Sequence, residues 1–362
     1  MQTSDFEYTL PEELIAQTPP PRRSDARLLV LRRCGGGVSH HSIGELPQLL
    51  SGGDLAVFND TRVLPARLFG RRLSGGRVEL LLLHPLDGPR LASARGPVWR
   101  ALVRPARRVR PDEALCLVPP EGGTGEQIPG EPVRMVRLLR HLGAGEAEVC
   151  FEGPGTADVP ALLRHLGQMP LPPYIRTRLR DAERYQTVFA RQEGSAAAPT
   201  AGLHFTPELL EALDRAGVHR ACVTLHVGLG TFRPVAVDRL ADHRLHAEWF
   251  GLGADTARAV AEARARGGRV LAVGTTVVRT LETQAGTGGL VRPGSGWTDL
   301  FILPGRKFRV VDALLTNFHL PRSTLLMLVC AFAGREAVLA AYREAVRQRY
   351  RFFSFGDAML IL

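Results

Sequence analysis

Val270-Leu-Ala-Val-Gly-Thr-Thr-Val-Val-Arg-Thr-Leu-Glu282 decides the fold class, because an apolar strand turns here at a glycine straight into a helix. Val270–Val273 is the strand, Gly274-Thr275-Thr276 the turn, and the residues after it the helix. The same alternation continues on both sides. Upstream, Ala254–Arg266 reads as an Ala/Arg helix closed by Gly267-Gly268, and Val223, Leu225 and Val227 mark one face of a strand with His226 on the other. Earlier still, Thr206-Pro207-Glu208 combines an N-cap, a first-position proline and an acidic first turn. Leu209, Leu210 and Leu213 give that helix an apolar face, and Gly217 ends it. Downstream, Val310–Leu315 reads as a strand before a helix capped by Ser323. Strands and helices in this order specify an α/β domain.

Residues 63–152 have a different texture. Short β-like runs recur at Val63–Phe69, Val78–Leu83, Trp99–Val103, Ala114–Val118, Val133–Leu139 and Ala147–Phe151, separated by Gly, Pro and charged turns. The loop Glu121–Glu126 reads as a hairpin connection. Such spacing suits a small six-stranded antiparallel barrel or sandwich. The first region holds strands at Leu28–Leu31 and Asp54–Phe58. The expectation is a large α/β domain from residues 1–62 and 153–362, with residues 63–152 inserted as the β-barrel domain.

The 362 residues carry a formal net charge of +10, which favours a polyanionic partner, nucleic acid before anionic membrane. Lys307 is the only lysine, so arginine supplies the rest of the cationic charge. Cys34, Cys116, Cys150, Cys222 and Cys330 form no CxxC pair, which argues against a disulfide scaffold or a zinc site. The polar start Met1–Glu7 lacks the pattern of a secretion signal. The longest apolar run, Leu325–Ala333, is about half of what a membrane span needs, so it reads as a buried core helix. A cytoplasmic monomer with no membrane partner is expected.

Several uncharged turns are candidates for chemistry. At Gly274-Thr275-Thr276 a helix N-terminus favours an anion. Arg279, four residues after Thr275, and Glu282, three further on, extend a polar face able to grip a carboxylate or a ribose; simple capping with a surface ion pair explains the same residues. Ala198–Phe205 ends in His204, which capping of the next helix does not require. Thr224–Phe232 contains Gly228 and Gly230 but lacks the third glycine of a dinucleotide fingerprint, and Arg233-Pro234 prevents an immediate helix. Asp242–Glu248 holds His243, His246 and Glu248 at no established zinc spacing, so proton transfer is preferred to a metal. Thr316–Pro321 places Asn317 and His319 at a strand's carboxyl end, and Phe58–Arg62 places Asn59, Asp60 and Arg62 at the domain junction, where tying a turn together explains Asp60 and Arg62 equally well.

Together these stretches resemble a known family. Phe58–Arg67, Pro170–Ile175, Arg184–Phe189, Ala198–Phe205, Thr224–Phe232, Gly274–Thr276, Thr316–Thr324 and Gly356–Leu360 are similar to motifs of the S-adenosylmethionine:tRNA ribosyltransferase-isomerases of queuosine biosynthesis. The resemblance runs from Tyr8-x-Leu-Pro11 to the C-terminal residues and is weakest through the barrel. Leu245-His-Ala-Glu248 departs from a usual Met-His-Ser-Glu, Arg306 from an aromatic and Phe355 from a tyrosine. The resemblance implies ribosyl transfer from S-adenosylmethionine, with isomerisation, onto 7-aminomethyl-7-deazaguanine at the tRNA wobble position. Epoxyqueuosine forms, and adenine and methionine leave. It also implies no cofactor and no metal, with S-adenosylmethionine consumed as co-substrate and the tRNA anticodon loop as partner.

That chemistry needs a base beside a sulfonium and an acid for departing adenine. The expected proton-transfer set is His204, His226, His246 and His319 with Asp60, Glu248 and Glu282. The expected binding set is Asn59, Arg62, Thr200, Gly202, Gly228, Gly230, Thr231, Gly274, Thr275, Thr276 and Asn317, with Arg279 on the methionine carboxylate. Arg104–Arg110 and Arg176–Arg184 are expected to meet tRNA. An S-adenosylmethionine-dependent RNA methyltransferase and a non-enzymatic RNA-binding module are the competing readings. The missing glycine fingerprint counts against the first, and the His/Thr/Gly turns outside the barrel count against the second.

Overall fold

The computed structural model describes residues 1–33, 35, 37–86, 88, 91, 94–119, 134–177, 179–228, 235 and 237–362. The strands in chain order are β1 (Arg27–Leu31), β2 (Val38–Ser42), β3 (Leu55–Asn59), β4 (Thr61–Val63), β5 (Arg67–Arg72), β6 (Arg77–Leu86), β7 (Val98–Arg104), β8 (Ala114–Val118) and β9 (Met135–Gly143). They continue as β10 (Glu146–Glu152), β11 (Gln192–Ser195), β12 (His219–Leu225), β13 (Glu248–Leu252), β14 (Val270–Val273), β15 (Gly294–Thr298), β16 (Ala313–Asn317) and β17 (Ala358–Ile361). The helices are α1 (Leu46–Leu49), α2 (Val159–Leu166), α3 (Pro207–Arg215), α4 (Ala254–Ala265), α5 (Thr275–Thr283), α6 (Thr324–Ala333) and α7 (Arg335–Arg347).

Two compact units result. One comprises Met1–Arg62, Pro172–Gln192 and Ala198–Leu362; the other comprises Val63–Leu171 and Glu193–Ala197. The expected insertion, 63–152, lies within the second unit, which runs on through α2 to Leu171.

The first unit is built on a nine-stranded mixed sheet in the order β15-β13-β12-β3-β14-β16-β17-β1-β2. At its centre β12, β3, β14 and β16 run parallel, so their carboxyl ends lie along one edge. β14 is apolar throughout and β3 and β16 are apolar up to their polar carboxyl ends, because both faces of the sheet are covered there. On one face Leu55, Val57, Val270, Ala272 and Leu314 pack with Val260 of α4, Val277 and Leu281 of α5, and α6 and α7. On the other, Ala56, Phe58, Leu271, Val273 and Leu315 pack with Leu209, Leu210 and Leu213 of α3. Thr206 caps α3 by accepting the N–H of Leu209, and Ser323 caps α6 through Leu326. The apolar run before Ala333 is the buried core helix that its length suggested. Among the described residues no single helix is long and apolar enough to cross a membrane, and α6 and α7 meet at 116°.

The second unit closes into a six-stranded antiparallel barrel, β10-β7-β6-β5-β8-β9. Inward Leu68, Val78, Leu80, Ala101, Val103, Leu115, Val136, Leu138, Ala147 and Val149 are fully buried. Outward Glu148 and Glu152 are paired across strands with Arg140 and Arg137. The run Val63–Phe69 is not one strand: it divides at Leu64-Pro65-Ala66 into the end of β4 and the start of β5, because proline has no N–H for a ladder. The Glu121–Glu126 hairpin and the first residue of the Val133–Leu139 run fall outside the described residues. β2, β11, β13, β15 and β17 have no counterpart among the strands read from the sequence.

Candidate active site

The carboxyl edge of the central sheet collects the polar turns. β3 delivers Asn59, Asp60 and Thr61; β12 delivers His226 and Gly228; β14 delivers Gly274, Thr275 and Thr276; β16 delivers Asn317 and His319. Asn59 ties three of these ends together. Its amide donates to Leu225 O (3.0 Å) and Thr276 Oγ1 (3.2 Å), and its Oδ1 accepts from Leu225 N (3.0 Å) and Thr61 N (3.2 Å).

A small, partly open cleft lies over this edge. Its lining includes Thr200, Gly274, Thr275, Thr276, Thr316, Asn317, His319, Phe353 and Ser354. Gly274 sits at φ 98°, ψ 152°, a region essentially reserved for glycine, and turns β14 directly into α5. No side chain caps α5, and first-turn N–H groups have no partner within a helix. The cleft therefore meets a helix N-terminus carrying partial positive charge.

His204 and His319 are both buried, His319 in the cleft's lining and His204 behind Asn317. Burial, with Arg23 and Arg351 nearby, lowers His204 to about 4. Burial alone lowers His319 to about 3. Both are uncharged imidazoles at neutral pH. His319 Nε2 meets Thr316 Oγ1 at 3.0 Å, and its backbone is fixed by Tyr342 and Tyr8. His204 Nε2 lies 3.3 Å from Asn317 Nδ2, which also donates to Phe353 O at 3.1 Å. A carbonyl only accepts, so Phe353 fixes which way the Asn317 amide points. Phe353 itself is held at φ 72°, a left-handed conformation that costs energy for an aromatic residue. With the NH2 group so engaged, Asn317 Oδ1 is buried and has no partner.

Beside the cleft, Thr61 Oγ1 meets His226 Nδ1 at 2.8 Å, and the imidazole stacks on Trp249 with ring centres 5.0 Å apart. Burial lowers the His226 pKa and the charge of Asp60 pulls it back up. Asp60 accepts from Thr224 Oγ1 (2.6 Å) and Arg191 Nη2 (2.9 Å).

Other expected residues serve the framework. Arg279 and Glu248 form a buried ion pair; Arg279 also donates to Thr298 O and Leu300 O, while Glu248 accepts the Gly228 N–H at 2.7 Å. The polar helix face with Arg279 at its centre is thus turned inward. Glu282 does not pair with Arg279. Its carboxylate accepts the backbone N–H groups of Arg309, Val310 and Val311 at 2.9–3.2 Å. Gly202 packs so closely on Phe189 and Thr187 that a Cβ would come within 2.8 Å of each. His246 is exposed, and Arg62 pairs with Glu183; neither is among the residues lining the cleft. Gly230 and Thr231 fall outside the described residues. The sequence reading missed Thr61, Trp249, Phe353 and Ser354; only the aromatic run Tyr350–Phe355 carried any signal for the last two. Among the described residues no group of three or more His, Cys, Asp or Glu side chains could hold a metal ion.

A cleft at the carboxyl ends of parallel strands, where apolar side chains surround the start of α5, Asn317 and His319, marks an α/β protein that holds a small ligand. A profile of the family described as queuosine biosynthesis protein matches residues 3–361. The S-adenosylmethionine:tRNA ribosyltransferase-isomerase of Anaeromyxobacter sp. (strain Fw109-5) is 53% identical over 363 residues, covering 100% of this chain and 99% of the relative. That of Heliobacterium modesticaldum is 52% identical over 366 residues, covering 100% of both. The crystal structure of the S-adenosylmethionine tRNA ribosyltransferase from Thermotoga maritima is 40% identical, with a TM-score of 0.55 over 99% of this chain and 100% of that one. The chain belongs to the queuosine biosynthesis protein family.

Proposed function

We propose that this protein transfers and isomerises the ribosyl moiety of S-adenosylmethionine onto 7-aminomethyl-7-deazaguanine at the tRNA wobble position. The products are epoxyqueuosine, adenine and methionine. The observation that carries the reading is the meeting of separated motifs in one cleft: Thr200, Gly274–Thr276, Thr316, Asn317 and His319 line it, with His204 behind Asn317.

S-adenosylmethionine is a cationic co-substrate, and uncharged imidazoles beside it avoid repulsion while offering lone pairs. His226 is the proton-transfer residue of choice. It alone among the three sheet-edge histidines has a carboxylate, Asp60, opposing the effect of burial, which brings it nearer the working pH. His204 and His319 shape the cleft through their hydrogen bonds. Glu248, Arg279 and Glu282 hold backbone. The exposed Arg104, Arg107, Arg108 and Arg110, and separately Arg176 and Arg180, supply cationic surface for tRNA phosphates, and a tRNA substrate favours the cytoplasm as the working compartment.

The deciding experiment incubates the protein with S-adenosylmethionine and tRNA bearing the deazaguanine precursor, followed by mass analysis of nucleosides and small products. Epoxyqueuosine with stoichiometric free adenine supports the reading. S-adenosylhomocysteine in place of adenine would establish methyl transfer instead.

A further inference from the structure

The cleft contains one acceptor that nothing in the protein satisfies. Asn317 is 2% exposed and lines the cleft, its NH2 group is committed to Phe353 O and His204, and its Oδ1 has no partner. A buried acceptor left unpaired costs free energy, so the site is complete only when a ligand brings a donor. The second unfilled feature is of opposite polarity. The N-terminus of α5 at Gly274-Thr275-Thr276 lines the same cleft without a side-chain cap. Thr276 Oγ1 already accepts from Asn59, which frees its hydroxyl proton to donate. That end of the cleft asks for an anion.

The two features are close by construction. β14 and β16 pair in parallel with Val273 opposite Leu315, and Gly274 N–H donates to Leu315 O at 2.8 Å. Asn317 lies two residues beyond Leu315 on the strand beside the start of α5. A free amino-acid group presents a carboxylate and an ammonium two bonds apart, which matches one anion site beside one unfilled acceptor. A nucleoside offers donors but no anion.

We infer that this cleft end is the subsite for the amino-acid group of S-adenosylmethionine: the start of α5, with the Thr276 hydroxyl, takes the carboxylate, and Asn317 Oδ1 takes the ammonium. Arg279, the cation that the sequence nominated for the carboxylate, is engaged by Glu248 instead. The inference rests on S-adenosylmethionine being the co-substrate and assigns the direction in which it lies. The nucleoside then extends away from α5.

Calorimetry without tRNA tests it with four probes: S-adenosylmethionine, its decarboxylated analogue, its deaminated analogue, and 5′-methylthioadenosine, which lacks the amino-acid group. Wild type should lose about 10- to 100-fold in affinity on removal of either charged group, the range of a charge-assisted hydrogen bond. Asn317→Ala should weaken S-adenosylmethionine by a similar factor, become insensitive to deamination, and bind 5′-methylthioadenosine as wild type does. Equal weakening of 5′-methylthioadenosine by Asn317→Ala would show that Asn317 reads the nucleoside and would overturn the assignment. So would a wild type indifferent to deamination, a result that needs no folded variant. Absence of both S-adenosylmethionine binding and adenine release in wild type would instead remove the proposed function itself.

Discussion

Acid should unfold the α/β unit through His204 and His319. Folding lowers these imidazoles from 6.5 to about 4 and about 3. Below pH 6.5 the unfolded chain takes up protons that the folded unit refuses, so stability is complete above that pH and falls as pH drops toward the folded values. At pH 5 the unfolded imidazoles are almost fully protonated and the folded ones almost not, a loss of about 2 kcal/mol each and about 4 kcal/mol together relative to pH 8. Against a typical total of about 5–15 kcal/mol, that is a large share. Urea titrations at pH 8, 6 and 5 measure it. A Trp99→Phe background leaves Trp249 and Trp297, both in the α/β unit, as the fluorescent reporters. His204→Gln and His319→Gln keep hydrogen-bonding capacity without titrating. Each should reduce the pH 8-to-5 loss by about 2 kcal/mol and the double variant by about 4, whatever their stability at pH 8. A double variant that loses as much stability as its parent would refute the claim that these groups are buried and neutral.

Glu248→Gln leaves the Arg279 charge buried and should cost about 3–5 kcal/mol in a urea melt; a cost below about 1 kcal/mol would mean the pair is solvated. Gly274→Ala forces a side chain into the φ 98° conformation. It should destabilise by about 1–3 kcal/mol and weaken S-adenosylmethionine binding by calorimetry, whereas unchanged binding would detach the α5 turn from the ligand. Thr61→Val removes the hydroxyl that meets His226 Nδ1, so the pH profile of kcat/KM should shift and Thr61→Ser should restore it. An unmoved profile would free His226 from that partner.

The α/β core was readable because its buried strands and helix caps are local signals. Thr206, Ser323 and Gly217 each sit where capping chemistry places them. β13 and β15 were not, since Gly251, Gly294 and Gly296 break their pattern, and β15 pairs with β13 across the intervening α4, β14 and α5. The histidines at strand ends were legible by type and position. The fate of Arg279 was not: i+3 and i+4 spacing said that Thr275, Arg279 and Glu282 share a helix side, but not that the side faces inward. Nor could spacing show that Glu282 would hold the backbone of residues 309–311. Phe353 was invisible because its importance lies in a left-handed backbone and a carbonyl, not in its side chain.

β17 occupies an interior place in the sheet, parallel to β1, with Leu28 opposite Ala358 and Leu31 opposite Ile361. β1 can pair with β2 as soon as both are made, but its other edge waits for residues 358–361, the last strand of the sheet to be synthesised. The barrel strands, contiguous from Arg67 to Glu152, have no such wait. Until then that edge of nascent β1 is apolar and without cover, and a holding chaperone is its natural companion.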